Sequence, residues 1–152
     1  MHKPKPALFL IIFATLISAP LFTQTAQKVE NLLNEPAITW AAAAVFALEA
    51  ANIETFSNPD DAFRYAMDRK WLPKNISADG KARLDGVALL LIEAFTIKSG
   101  FFYSMTKNPH YAYRELVYKQ VIRGRTDPEM FVSGEQFLII VNRILSIKEA
   151  GR

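Results

Sequence analysis

One pattern occurs twice in this chain, and the two copies align without a gap at an offset of 50 residues. Asn108 falls on Asn58, and each is followed by proline. The apolar run at 137–141 coincides with the run at 87–91. Few residues are identical, but apolar positions agree almost throughout. We therefore predict a duplicated structural unit, with repeat 1 at 58–97 and repeat 2 at 108–147.

Each copy has the pattern of a helix, a loop and a second helix. Asparagine is a good N-cap residue, and proline suits the first helical position because no N–H is needed there. Gly124 and Pro128 favour a turn after the first helix of repeat 2. Ser133, followed three residues later by Gln136, is a capping box that opens the second helix. That second helix is apolar around its circumference, so we expect it to be buried.

A further apolar segment, residues 35–56, precedes the two copies. Pro36 lies near its start and strong helix formers follow, so we predict a helix that begins there. Its alanines would let a neighbouring helix approach closely. The expected fold is all-α: two helix-loop-helix repeats plus an extra N-terminal helix, forming one domain at 35–149.

The N-terminus has the order of a secretory signal peptide. Lys3 and Lys5 precede an apolar run from residue 7, and small residues follow at Thr23, Thr25 and Ala26. We predict a cleaved signal at 1–25, with the alternative of an uncleaved membrane anchor. Cleavage after Thr25 or after Ala26 is compatible with the pattern. Residues 26–34 are expected to form a linker or a short helix.

Export changes what the charge implies. Removing Lys3 and Lys5 from the 18 basic residues leaves 16 against 15 acidic residues, so the mature domain is almost neutral. A near-neutral domain gives no broad electrostatic reason to bind nucleic acid. The chain has no cysteine, so neither a disulfide framework nor a lipidated cysteine is expected.

The connector at 98–107 is unusually apolar for a link between repeats. Phe101, Phe102, Tyr103 and Met105 either cover one end of the helical core or form a contact surface for a partner. We take Phe101, Phe102 and Tyr103 as the candidate partner-binding residues. A protein partner could also use the alanine-rich face of the helix at 35–56.

Residues 121–137 contain a Val-Ile-Arg-Gly segment at 121–124, an Asp-Pro turn, and a Val-Ser-Gly-Glu-Gln segment at 132–136. With this motif, residues 58–145 resemble two degenerate repeats of an S-layer homology domain. The resemblance implies an exported, all-helical, non-catalytic repeat that holds a protein to a cell-wall polysaccharide. By this resemblance Ser133 stands at the family's threonine position, Glu135 at its glutamate, and Gly134 where the family has a polysaccharide-binding arginine. Repeat 1 and the short loop depart further from the family pattern.

Cationic and aromatic residues are densest in repeat 2. Aromatic faces stack on sugar rings, and arginine forks bind anionic oxygens, so this group could bind a charged glycan. Alternatively, Arg114 and its counterpart Arg64 form structural pairs with acidic residues such as Glu135 and Asp85. The candidate ligand-binding residues are Tyr111, Arg114, Arg123, Arg125, Ser133, Glu135 and Trp71.

Catalysis has little support in the sequence. The only histidines are His2 and His110, and the absence of cysteine leaves no credible nucleophile–base pair. We expect no enzyme activity, cofactor or metal. The expected function is a non-catalytic exported cell-envelope module that binds peptidoglycan or an attached polysaccharide. The alternative is a protein-interaction subunit of a periplasmic or envelope assembly that binds no glycan.

Overall fold

The computed structural model describes residues 20–151, and it describes the surroundings of side chains from residue 25 onward. This part of the chain is all-helical, so the predicted fold class is confirmed. The predicted signal peptide at 1–25 lies mostly outside the described residues. The described helices are α1 (Pro20–Leu33), α2 (Trp40–Ala50), α3 (Pro59–Asp68), α4 (Leu84–Ala94), α5 (Phe101–Thr106), α6 (Pro109–Tyr118) and α7 (Gly134–Ala150).

The chain divides into two compact units, at 1–31 and 32–152. The described part of the first unit is the beginning of α1, in which the Gln27 side-chain amide donates to Asn31 Oδ1 at 3.1 Å. The segment 26–34, expected to be a linker or a short helix, is therefore mainly helical. The second unit contains the last turn of α1 and helices α2 to α7. No helix within residues 20–151 combines the length and the apolar character needed to span a bilayer.

Helices α3 and α6 begin 50 residues apart, and so do α4 and α7. The N-cap side chains are used in the same way, because Asn58 accepts from the Asp60 N–H and Asn108 from the His110 N–H. Lys70 and Gln120, each two residues after the end of the first helix, have the same left-handed conformation, at φ 61° and φ 59°. The two segments therefore share local backbone geometry. The duplication and the number of repeats stay predictions.

Three extended segments meet in a closed ring of backbone hydrogen bonds. Ile38 N–H donates to the Val132 carbonyl at 2.9 Å, Val132 N–H donates to Ala82 at 3.0 Å, and Ala82 N–H donates to Ile38 at 2.8 Å. All three residues are completely buried. Each lies two residues before the first residue of a long helix, so the ring fixes where α2, α4 and α7 start.

The ring corrects the predicted start of the N-terminal helix. Residues 36–39 were expected to be helical, but α2 begins at Trp40 after Thr39, whose φ of −83° and ψ of 160° are extended. Thr39 Oγ1 caps the helix by accepting from the Ala42 N–H at 3.2 Å. The helix also ends at Ala50, before the predicted limit at 56. Extended backbone is needed here because Ile38 both donates and accepts in the ring.

The core lies among α2, α4 and their partners, with α2 packed on α3 and α4 packed on α6. Helix α4 is buried on nearly every side, as predicted. Helix α7 is less buried than predicted, because Ile139 and Ile147 are 41% and 51% exposed. The alanine face of α2 is buried, so it is not available to the protein partner considered for it.

Candidate functional site

Helix α5 is held on the protein by Tyr103. This side chain is only 2% exposed, and its hydroxyl donates to Glu93 Oε1 at 2.5 Å. Lys107 Nζ donates to the same oxygen at 2.7 Å, so one carboxylate binds both groups. Burial raises the pKa of Tyr103 well above its usual range, and the bond to Glu93 raises it further. Tyr103 is therefore an internal anchor, which corrects its assignment to a partner-binding surface.

The opposite side of α5 is exposed to solvent. Phe101, Phe102 and Met105 are 71%, 64% and 68% exposed. Phe102 stacks on Tyr111 of α6, with ring centres 5.8 Å apart and planes inclined by 20°. The connector therefore does both things considered for it. Tyr103 covers the core, while Phe101, Phe102 and Met105 form an exposed surface.

A groove of about 340 Å³ runs between α5 and α6. We call it the α5–α6 groove. It contains two of the predicted ligand-binding residues, Tyr111 and Arg114, and all three of the predicted partner-binding residues. The lining residues are Gly100, Phe101, Phe102, Tyr103, Tyr111, Arg114, Glu115 and Tyr118.

The two charged side chains that line this groove, Glu115 and Arg114, differ in whether they are already bound by other residues. Glu115 Oε2 accepts from the Gly100 N–H at 3.1 Å, and Glu115 Oε1 lies 3.3 Å from Lys119 Nζ. Within residues 25–151, by contrast, the side chain of Arg114 forms no hydrogen bond or ion pair. The acidic group is thus neutralised by its neighbours, whereas the guanidinium of Arg114 remains available to a ligand.

The predicted structural pairing of the two equivalent arginines is wrong. Arg64 pairs with Asp61 in its own helix at 3.4 Å, and both side chains are mainly exposed. Asp85, the proposed partner of Arg64, instead accepts from Arg83 Nη2 at 2.8 Å. Arg114 does not pair with Glu135 in the described part of the chain. The two arginines occupy equivalent positions in different surroundings.

Other predicted ligand-binding residues do not line this groove. Arg123 Nε donates to the Gln120 carbonyl at 2.7 Å, and Arg125 is exposed in the following loop. Ser133 is the N-cap of α7, where its Oγ accepts from the Gln136 N–H at 3.2 Å. Glu135 is exposed in the first turn of the same helix.

Trp71 belongs to a separate aromatic group near the end of α3. Its ring lies 6.1 Å from that of Tyr65 in an edge-on arrangement. The Arg69 guanidinium covers the Tyr65 ring at 3.4 Å from its centre. A face of Tyr65 is therefore already occupied by a cation, so this cluster offers less open aromatic surface than the α5–α6 groove.

The sequence did not indicate a second pocket, of about 380 Å³, next to the loop at 73–76. Its polar wall contains Arg83, which is bonded to Asp85 and lies 3.4 Å from Glu129. The hydrogen bond to Asp85 is the main cause that raises the pKa of Arg83, so the guanidinium keeps its charge. The guanidinium of Arg83 is already bound by Asp85 and Glu129, whereas that of Arg114 is not bound. The pocket is lined by Trp40, Pro73, Lys74, Asn75, Ile76, Arg83, Asp85 and Pro109.

Comparison with known proteins adds no assignment. No family model matches the chain. No curated protein and no solved structure matches it either. The resemblance to an S-layer homology domain therefore remains an interpretation of residues 121–137. In the part that the structure describes, no three histidine, aspartate or glutamate side chains are grouped so that they could hold a metal ion.

Tyr118 belongs to the cationic and aromatic grouping of repeat 2 and lines the groove, but it was not among the predicted ligand-binding residues. It is 82% exposed and stands at the end of α6. Its spacing from Arg114 is four residues, which places both on one face of the helix. That spacing is the sequence signal that could have added Tyr118 to the candidate site.

Proposed function

We propose that this chain is a non-catalytic, exported cell-envelope module that binds a cell-wall glycan in the α5–α6 groove. The observation that carries the proposal is the available guanidinium of Arg114 between aromatic side chains. Arginine binds carboxylate and phosphate groups through two parallel hydrogen bonds. The exposed ring of Tyr118 and the stacked pair of Phe102 and Tyr111 offer apolar surfaces of the kind on which sugar rings stack.

The groove favours a ligand that is partly apolar and carries negative charge. Phe102 and Tyr111 supply stacked aromatic surface on one side. Arg114 supplies positive charge, and Glu115 is already bound to Gly100 and Lys119. Peptidoglycan and its attached polysaccharides combine sugar rings with acidic groups, so they fit this requirement. Export through the N-terminal segment would bring the groove to such a ligand.

The alternative is an interaction subunit that binds only protein, and it was expected to use one of two surfaces. The alanine face of α2 is buried in the core. The remaining surface is the outer side of α5, with three exposed side chains. Stable protein interfaces cover roughly 800 Å² on each partner and involve about 20–30 residues. A patch this small therefore favours the glycan proposal over a stable protein complex.

Binding to purified peptidoglycan sacculi tests the proposal. We expect Arg114→Gln to weaken sacculus binding by roughly tenfold or more, because a charge-assisted hydrogen bond contributes about 1.5–3 kcal/mol. Arg64→Gln is the matched control, since this arginine stands 50 residues earlier on α3 and pairs only with exposed Asp61. Equal retention of the wild-type chain and the Arg114 variant would contradict the proposal, as would equal losses in both variants.

A further inference from the structure

The outer side of α5 concentrates exposed apolar surface. Eight large hydrophobic side chains stand exposed within residues 25–151, and three of them lie on this helix of six residues. Phe101 and Met105 are four residues apart and therefore share one side of the helix. We call Phe101, Phe102 and Met105 the α5 apolar face. Single exposed apolar side chains are normal on a protein surface, whereas several on one short helix indicate a binding surface.

Two lysines flank this face. Lys98 precedes α5 and Lys107 follows it, and the two acidic side chains that contact α5 or its N-cap, Glu93 and Glu115, pair with Lys107 and Lys119. Lys98 is exposed just before α5, and it makes no ion pair in the described part of the chain. Lys107, just after α5, is still 56% exposed although it pairs with Glu93. Cations thus stand at both ends of the α5 apolar face, which favours a negatively charged occupant.

The size and attachment of the face distinguish a lipid surface from a protein. A protein partner must provide a complementary shape over a much larger area than three side chains. A lipid surface adapts its own shape, while apolar side chains enter the acyl boundary and cations meet anionic headgroups. Tyr103 holds α5 from beneath through Glu93, so the face is presented in a fixed orientation.

We propose that the α5 apolar face docks on an anionic lipid surface. Phe101 and Met105 enter the boundary between headgroups and acyl chains, and Lys98 and Lys107 lie among the headgroups. Contact is peripheral and involves no spanning segment. Phe101 and Phe102 also line the α5–α6 groove, but this inference does not require glycan binding, because the lipid contact needs neither Arg114 nor Tyr111.

A local probe tests this contact in the full chain, independently of the apolar N-terminal segment. Because the chain lacks cysteine, Ser104→Cys on α5 and Ser146→Cys on α7 each create one labelling site. Both serines are exposed. A fluorophore is attached at either position, and its quenching by spin-labelled lipid is measured in anionic phosphatidylethanolamine–phosphatidylglycerol vesicles. Phosphatidylcholine vesicles serve as the comparison.

We expect quenching at position 104 in the anionic vesicles, weaker quenching in phosphatidylcholine, and little at position 146. Combining Phe101→Ser with Met105→Ser should abolish quenching at 104. Ile139→Ser with Ile147→Ser, which removes exposed apolar side chains from α7, should leave it unchanged. Lys98→Gln should weaken anionic-vesicle binding at this face by roughly fivefold.

Three results would overturn the inference. The first is the absence of quenching at 104 in anionic vesicles. The second is equal quenching at 104 and 146, which would indicate non-specific adsorption. The third is quenching that survives the Phe101 and Met105 substitutions. Loss of lipid contact together with specific cross-linking of position 104 to one envelope protein would replace the lipid surface with a protein partner.

Discussion

At position 134 the backbone of a neighbouring segment occupies the space of a side chain. A Cβ on Gly134 would lie 1.6 Å from the Leu32 carbonyl oxygen, whereas one on Gly151 would meet nothing closer than 3.5 Å. The S-layer homology pattern has an arginine at this position. This fold has no room for a side chain at position 134, so residue 134 cannot carry the polysaccharide contact that the resemblance would place there.

Gly134→Ala should lower the free energy of unfolding by roughly 2 kcal/mol or more, because the clash involves backbone that cannot rotate away. Gly151→Ala is the matched control and should change it by less than about 0.5 kcal/mol. Chemical denaturation of both variants measures the difference. Equal stability would mean that Leu32 and Gly134 are not in the close contact described.

Tyr103 makes the free energy of unfolding decrease as the pH rises in the alkaline range. Its pKa is raised in the folded chain above the ordinary value of 10.0, first by burial and then by Glu93. Folding therefore favours the neutral phenol. The resulting stabilisation is fully present below a pH of about 10 and is lost as the pH rises through the folded-state pKa.

Above pH 10, the wild-type chain should lose up to about 1.4 kcal/mol of unfolding free energy per pH unit relative to Tyr103→Phe. Tyr118→Phe is the control, since Tyr118 is 82% exposed. Denaturation midpoints measured from pH 8 to about pH 11 would reveal the difference. Parallel pH profiles for the wild type and Tyr103→Phe would rule out the burial of a neutral phenol against Glu93.

At the scale of single elements, the start of α7 shows how one residue can be assigned two roles. The capping box predicted Ser133 as an N-cap, and the bond from the Gln136 N–H confirms it. The resemblance to a glycan-binding family also made Ser133 a candidate ligand residue. A hydroxyl that already accepts from the helix has less capacity left for a ligand.

Ser133→Ala should therefore destabilise the chain by about 1 kcal/mol and leave sacculus binding of the folded protein unchanged. Ser133→Thr, which keeps the hydroxyl, should retain most of the stability. Thermal denaturation and the sacculus assay measure the two properties separately. A loss of binding without a loss of stability would return Ser133 to the ligand site.

Helix starts that depend on local signals were predictable, and the start that depends on distant segments was not. Asn58, Asn108 and Ser133 act through neighbours within three residues. Pro36 gave the same local signal, but Ile38 is drawn into extended backbone by Val132 and Ala82. Ile38-Thr39 does match Val132-Ser133 as an apolar β-branched residue before a hydroxyl cap, and that likeness was the available signal.

At the scale of the whole molecule, a ring of three buried hydrogen bonds brings distant parts of the chain together. Ile38, Ala82 and Val132 are 44 and 50 residues apart, so no local pattern could predict their contact. The all-α class was predictable because helical spacing of apolar residues is local. The placement of α5 was not, because it depends on Tyr103 reaching Glu93 of α4 and on the Gly100 N–H reaching Glu115 of α6.

The candidate site was predicted only in part for the same reason. Tyr111 and Arg114 are three residues apart on α6 and were found together. Arg123 and Arg125 are close in sequence, but α6 ends at Tyr118, the chain turns at Gln120, and neither arginine lines the groove. The density of arginine and tyrosine along the sequence therefore located the α6 side of the groove, but it also included arginines that lie outside the groove.

The central claim is that the α5–α6 groove binds an acidic cell-wall glycan. Chemical-shift mapping of the full chain during titration with soluble muropeptides tests this claim most directly, because it reports every contacted residue at once. The account predicts saturable shifts that centre on Tyr111, Arg114 and Tyr118 and disappear in Arg114→Gln. Shifts centred on Arg123 and Arg125, or no shifts at saturating ligand, would contradict it.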